Sequence, residues 1–400
     1  MNNNLTNPTS KPRIVVVDAL RGLALTGILL LHALEHFDFY WAAQYNPDVL
    51  KGLDKIVHDV AFFLFAGKSY AIFSVLFGFS FFIQMQGQER RGIDFRGRFV
   101  WRLLILLVLG YLHTLIYMGD ILMIYALMGL PLIFFYKVPT KFLIAVAAIL
   151  LLHVNRIYEL VYSFINPDFV IQRDWGDWGR AFQTFCSGSF WDVLKHNSGA
   201  ALITKVKWTV ASARVYQLFG LFVIGMILGR IGFFEKSADN KRPLWIVLST
   251  GIAGLIIFQL ISHFMPSLFD FNNTQRSLIV ELADIFTNLS LLTIWISGFM
   301  LLYYRFHSAG IFTALSQYGR MSLTSYVMQP LIGVPLFYGY GLALYQYLGN
   351  TLSFVYAALF WVMQIWFCQT WFKHYKYGPL EWFWRALTFF NFKLTNKKVN

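Results

Sequence analysis

Residues 14–34 read IVVVDALRGLALTGILLLHAL, with Glu35 directly after them. A helix needs about 20 largely apolar residues to cross a bilayer, and this stretch has them. A plain anchor would carry no polar residue at that depth, whereas this one carries Asp18, Arg21 and His32. At about 100° and 1.5 Å per residue, the steps from Arg21 to His32 complete three turns, so the two residues share a face about 16 Å apart. Asp18 lies one turn below Arg21 on the same stripe. An ionised side chain in the hydrocarbon core costs several kcal/mol unless it is paired or faces a wet cavity. Asp18 and Arg21 are therefore expected to pair. The purely structural reading makes them an ion pair at the membrane edge with His32 capping the other end; the functional reading makes them a site.

Composition names the solvent in which the rest folds. Of 400 residues, 57% are hydrophobic, 19% aromatic and only 13% charged. That is an all-α polytopic membrane protein. The formal charge of +13 does not indicate a nucleic-acid partner, because the basic residues lie between apolar runs instead of forming one soluble basic domain. The partner they imply is the lipid bilayer. The two cysteines, Cys186 and Cys368, fall in different expected segments, so neither a disulfide framework nor a metal site is indicated.

About ten spans follow from a hydropathy window. They lie near 14–34, 57–84, 99–117, 119–136, 139–157, 211–233, 243–264, 281–304, 319–340 and 351–372. The chain divides into an N-terminal tail (1–13), five helices (14–157), an outer interfacial segment (158–210), five more helices (211–372) and a tail (373–400). Alternate loops are rich in Lys and Arg, which puts both termini in the cytoplasm by the positive-inside rule. The 158–210 segment carries Trp175, Trp178, Trp191 and Trp208 among charges. Such a segment suits helices lying in the outer interface, or a lid over a groove.

Other polar residues fall within or beside the expected spans. Lys68 in Gly67-Lys68-Ser69-Tyr70 is read as mid-span, where snorkelling is hard and anion binding is the better use. Gly78 is expected to let two helices approach closely. His113 precedes a reversal at Gly119-Asp120, and Asp120 either caps the next helix or pairs with His113 to raise its basicity. The stretch Gly319-Arg320-Met321-Ser322-Leu323-Thr324-Ser325-Tyr326, with Gln329-Pro330 beyond it, predicts a kinked helix beside a polar cavity, with Arg320 at its start. Ser322, Thr324 and Gln329 are its candidate substrate contacts. Pro379 should open a last interfacial helix carrying a Glu381/Arg385 pair.

Together the Asp18-x-x-Arg21-Gly22 opening, Gly67-Lys68 with Leu76-Phe77-Gly78, Gly119-Asp120-Ile121-Leu122, Gly319 to Tyr326, and Gly378-Pro379-Leu380-Glu381-Trp382 resemble the YeiB-like membrane proteins, a family of unknown function. That family is similar to a wider group of membrane acyltransferases, the acyltransferase-3 and heparan glucosaminide acetyltransferase-like proteins, whose first helix carries an Arg and a His at the spacing of Arg21 and His32. His32 stands where many YeiB-like chains carry Asn. The resemblance implies transfer of an acyl group, acetyl being the first expectation, from cytoplasmic acyl-CoA to an envelope glycan or lipid. Arg21, held by Asp18, would bind the phosphates, and Lys68 or Arg320 would offset charge. Either His32 or His113, the latter with Asp120, would be the base. No tightly bound cofactor is expected, and Asp18 is too far from His32 to form a triad. The rival expectation is a transporter or flippase in which the same charges line a pathway; a non-catalytic scaffold leaves them unexplained.

Overall fold

A computed structural model describes residues 13–39, 43–393 and 396–397. Residues 1–12 of the expected N-terminal tail, Lys11 among them, and residues 394–395 and 398–400 of the expected C-terminal tail thus lie outside the described residues. The first half holds α1 (Val15–Leu34), α2 (Lys51–Phe65), α3 (Ser69–Glu89), α4 (Arg96–Ile116), α5 (Leu122–Gly129), α6 (Leu132–Phe135), α7 (Thr140–Leu151) and α8 (Val154–Ile165). Three short helices follow: α9 (Trp178–Ser187), α10 (Phe190–Ser198) and α11 (Ala200–Ala211). The second half holds α12 (Arg214–Ile231), α13 (Phe233–Lys236), α14 (Arg242–Leu268), α15 (Asn273–Phe306), α16 (Gly310–Arg320), α17 (Ser322–Phe337), α18 (Asn350–His374) and α19 (Pro379–Phe389). There is no strand among the described residues.

Seven of these segments are long and apolar enough to cross a membrane, or eight if the bent pair α7 and α8 is one span. The helices are those of a multi-pass membrane protein, with fewer continuous spans than the ten expected. Two stretches account for the difference. Residues 119–136 are broken into α5 and α6 with Pro131 between them, and 319–340 breaks at Met321 between α16 and α17. The expected span at 139–157 is interrupted at His153, whose φ of 50° is left-handed, and the chain bends there by 49°.

The first helix is the centre of the bundle. In its most apolar window 67% of residues are buried, against 11% for the outer helix α14, which packs mainly on α15. α1 touches α2, α3, α15, α16, α17 and α18. Such contact from every side requires small residues. Gly22 lies flush on the Leu315 backbone of α16, and Gly319 of α16 lies flush on the Asp18 carbonyl and the Gly22 backbone, so a Cβ on either would drive into the opposing main chain. The same device joins α3 to α12, with Gly78 on the Phe222 backbone and Gly225 on the Val75 backbone. Gly78 has the close-approach role its sequence suggested.

The segment between α8 and α12 is fixed by polar contacts. Asn197 donates to the Leu115 carbonyl at 3.1 Å, tying α10 to the end of α4. Arg156 and Arg173 bridge Glu159 and Glu281, holding the start of this segment on α15. α19 begins at Pro379 as expected and packs on α4 and α17.

Gly319→Ala should lower the melting temperature of the detergent-purified protein, because the new methyl has only backbone to displace; overpacking of this kind costs about 1–3 kcal/mol. Exposed Gly87, which has open space around it, is the control, and its Ala variant should melt as the wild type does.

Candidate functional site

Two cavities enter the bundle from opposite ends. The first lies at the end where α1 begins. Asp18 accepts from Arg21 Nη1 at 2.8 Å and from Arg13 Nη2 at 3.1 Å, and Arg21 also donates to Ser80 of α3. The expected Asp18/Arg21 pair is present, with Arg13 as a third member. Above it opens a space of ≈ 1540 Å³, mouth included, whose walls carry Arg13, Arg21, Arg102, Arg320 and Arg385. Ser322 lines it too. Arg102 stacks on Trp384 at 3.6 Å, and the buried Nε atoms of Arg320 and Arg385 have no hydrogen-bond partner among the described residues. Among the described residues Glu381 is the one carboxylate in the wall, and it is occupied. It accepts from the Leu323 and Thr324 backbone N–H groups at 2.7 and 3.1 Å and from Thr324 Oγ1 at 2.6 Å, so it caps α17. That corrects one expectation: Glu381 serves α17, with Thr324 as a partner, instead of pairing with Arg385 along its own helix. Burial raises the Glu381 pKa, opposed by these donors.

The second cavity opens at the far end of α1. Mouth included, it measures ≈ 1050 Å³ and is lined by His32, Glu35, Asp38, Asp120, Lys205 and Arg214, with Trp178 and Trp208 from the α8 to α12 segment. His32 sits in a directional chain of hydrogen bonds. Gln364 Nε2 donates to the Ser325 carbonyl at 2.9 Å, and its Oε1 accepts from the Tyr318 hydroxyl at 2.6 Å. The Tyr318 oxygen then accepts from Gln329 Nε2 at 3.3 Å, which leaves Gln329 Oε1 facing His32 Nδ1 at 3.1 Å. An amide oxygen can only accept, so Nδ1 carries the proton and a neutral His32 presents the Nε2 lone pair. Gln329 thus orients His32.

His113 and Asp120 do pair across the reversal, at 2.8 Å. Asp120 also accepts from the Met123 N–H at 3.1 Å and stands 3.8 Å from Lys205 Nζ, so capping and pairing coexist. His113 itself is not in the cavity wall, and its Nε2 is buried without a partner among the described residues. Lys68 lies at the three-residue break between α2 and α3, inside the single candidate span Asp48–Glu89; its ammonium sits 3.5 Å from the Phe62 carbonyl with Asp284 as charged neighbour, and it lines neither cavity.

The electrostatics of this end favour neutral carboxyls. Burial pushes Asp38 up to about 7, against the Gly119 N–H, Lys205 and Tyr117, and burial with the nearby Asp38 pushes Glu35 up to about 8. Burial lowers the Lys205 pKa, countered by Asp120 and Asp38. Four side chains line both cavities and divide them: Ile28, Tyr70, Ile121 and Tyr326. The residues missing from the sequence reading are Asp38, Arg102, Lys205, Tyr326, and Tyr318 with Gln364. Arg102 and Arg385 carried a signal in their cluster of basic residues, but loop arginines also set orientation, and only packing distinguishes the uses.

Comparisons with known proteins show what the chain is similar to. Residues 228–391 match the family model described as "Protein of unknown function (DUF418)". The chain is similar to YeiB-like, DUF418 proteins. It is 27% identical to uncharacterized protein YxaH of Bacillus subtilis, with 97% of each chain covered. It is 26% identical to uncharacterized protein YeiB of Escherichia coli, over 94% of this chain and 96% of that one. An uncharacterized 39.9 kDa protein from Bacillus acidopullulyticus is likewise 26% identical, over 94% of each. No solved structure matches the chain. The matched region holds Arg320, Tyr326, Gln329 and Glu381, while Asp18, Arg21 and His32 lie before it.

Asp38 gives a pH test. Its folded-state pKa of about 7 lies above the ordinary 3.8, so between these values the folded state holds a proton that the unfolded state has lost, and stability falls as pH rises through that window. Asp38→Asn keeps an acceptor for the Gly119 N–H but cannot ionise. Its melting temperature in detergent should fall less between pH 5 and pH 8 than that of the wild type; equal slopes would show that Asp38 is ionised throughout.

Proposed function

We propose that the protein transfers an acyl group from acyl-CoA, with acetyl-CoA as the first donor to test, to a hydroxyl or amine of an envelope glycan or lipid. The supporting observation is the pair of chemically unlike cavities that meet at four side chains. Acyl-CoA is itself two-ended: a multiply charged nucleotide, a long arm, and a thioester. Five guanidiniums facing one occupied carboxylate suit the phosphates, since charge-assisted bonds to phosphate are among the strongest available to arginine. A histidine whose tautomer is fixed with Nε2 free suits the general base.

In this reading the arginine end faces the cytoplasm, the loops rich in Lys and Arg lie there with both termini, and the membrane is a bacterial plasma membrane. Arg21, positioned by Asp18, holds the phosphates with Arg320. The arm passes the partition, and the thioester reaches His32. The acceptor enters from the opposite side, beneath Trp178 and Trp208. His32 Nε2 takes the acceptor proton as the oxygen or nitrogen attacks the carbonyl carbon, and returns it to the departing CoA thiolate. The kinship with acyltransferase-3 and heparan glucosaminide acetyltransferase-like proteins belongs to this proposal, and the spacing of Arg21 and His32 supports it. His113 is the weaker candidate for the base, because it does not line the cavity.

One observation favours a second reading. Cavities from opposite ends divided by a thin partition are also what a transporter or flippase for an anionic or lipid-linked substrate requires, and no covalent change is then needed. Acetyl-CoA binding and hydrolysis by detergent-purified protein separate the two. Arg21→Ala should weaken binding at least about tenfold, as loss of a charge-assisted contact does. His32→Ala should bind as the wild type does and lose the slow thioester hydrolysis. Folded wild-type protein that binds no acetyl-CoA, yet carries an anion across liposomes, would replace the acyltransferase with the transporter.

A further inference from the structure

We infer that the Tyr326 hydroxyl is a catalytic hydrogen-bond donor, placed to stabilise the oxyanion that forms when the thioester is attacked. The inference rests on the acyl-transfer reading and adds a residue to it. Of the four side chains that line both cavities, Ile28 and Ile121 are aliphatic, and Tyr70 directs its hydroxyl to Gln217. Tyr326 is different. Its oxygen accepts from the Ile121 backbone N–H at 3.1 Å, and its own proton has no acceptor among the described residues although the side chain is only 5% exposed. A buried hydroxyl whose proton is undirected is uncommon and calls for a ligand.

Position specifies that ligand. A donor entering past the arginines must bring its reactive carbon through this partition, because His32 lies on the far side. The Tyr326 ring is 5.9 Å from the His32 ring and 5.4 Å from the His113 ring, so the side chain stands beside both candidate bases on the partition that a donor would have to pass. The bond from Ile121 polarises the phenol and makes it a better donor, since hydrogen bonds in a chain reinforce one another. Ile121 is itself fixed, following Asp120 at the reversal that His113 and Lys205 hold.

The step balances as written. The acceptor oxygen or nitrogen bonds to the thioester carbon, its proton passes to His32 Nε2, and the carbonyl electron pair moves onto oxygen. Tyr326 donates a hydrogen bond to that oxygen without giving up its proton. The carbonyl re-forms, the C–S bond breaks, and His32 protonates the CoA thiolate. A donor aimed at the developing charge acts in the transition state more than in the ground state, so it should affect kcat and leave donor affinity alone.

Tyr326→Phe keeps the ring that fills the partition and removes the donor. In the full-length detergent-purified protein it should bind acetyl-CoA as the wild type does while kcat for thioester hydrolysis falls about 10²-fold. Because the variant also leaves the Ile121 N–H without its acceptor, 3-fluorotyrosine at position 326 is the companion. It keeps shape and acceptor but has a more acidic phenol, so a donor role changes kcat with phenol acidity and a merely structural role leaves it at the wild-type value. Wild-type kcat in Tyr326→Phe, or in the fluorotyrosine protein, overturns the assignment of Tyr326 and leaves the acyltransferase standing. Folded wild-type protein with no thioester turnover takes down both.

Discussion

The carboxylate of Asp18 is the constraint on which the rest depends. It is 2% exposed in the most central helix of the bundle, and a buried charge without partners would cost several kcal/mol. Arg13 and Arg21 neutralise it, and in doing so bring two guanidiniums to the mouth of one cavity. The main chain at the same residue is equally committed. Its carbonyl is the surface on which Gly319 rests, one residue before Arg320. Electrostatics and steric fit at Asp18 therefore position three arginines at once, and α1 cannot shift along α16 without disturbing the charge arrangement.

This explains why two motifs distant in sequence belong together. Asp18-x-x-Arg21-Gly22 and Gly319-Arg320 are two halves of one helix crossing, with each glycine admitting the other helix's backbone and each arginine turned to the cavity. The sequence allowed the pairing of Asp18 with Arg21 and of His113 with Asp120 to be read, because both are local: one lies within a helical turn, the other across a short reversal. Close approach at Gly78 was readable for a similar reason. Glu381 was misread by the same logic, since spacing along α19 suggested Arg385 while the exposed N–H groups of α17 offered stronger partners. Lys68 lies within a span as read, but hydropathy is blind to the three-residue break at which it sits in that long apolar run. Segments 119–136 and 319–340 are not long continuous helices for a similar reason: composition was membrane-like, but Pro131 divides the first and the turn at Met321 leaves α17 only 16 residues long.

The orientation of His32 was beyond the sequence altogether. It depends on Gln329, Tyr318 and Gln364 from three other helices, each fixing the direction of the next bond until the Ser325 carbonyl ends the chain. No single residue in that relay is diagnostic. Its consequence is chemical, because a buried imidazole with an undetermined tautomer is indifferent as a base, whereas this one has its lone pair directed by the fold.

That relay also bears on the choice between catalysis and transport. A residue carrying protons between two sides must exchange them alternately with each, so its hydrogen-bonding environment has to change between states. His32 is instead anchored at Nδ1 by a network running through the core, and only Nε2 is left to react. A fixed orientation with one open nitrogen is what a base needs to take a proton from an acceptor and return it to a leaving group at the same place. The arginine cavity carries the complementary requirement: a polyanion held at one level while its reactive end is presented at another. For a substrate that must pass through and leave, five guanidiniums with two unpartnered Nε atoms would be a trap; for a donor that reacts and departs by the way it came, they are an anchor. Under the proposed acyl transfer the two ends of α1 would therefore serve one chemistry, in which Arg21 would fix the distance and His32 the direction.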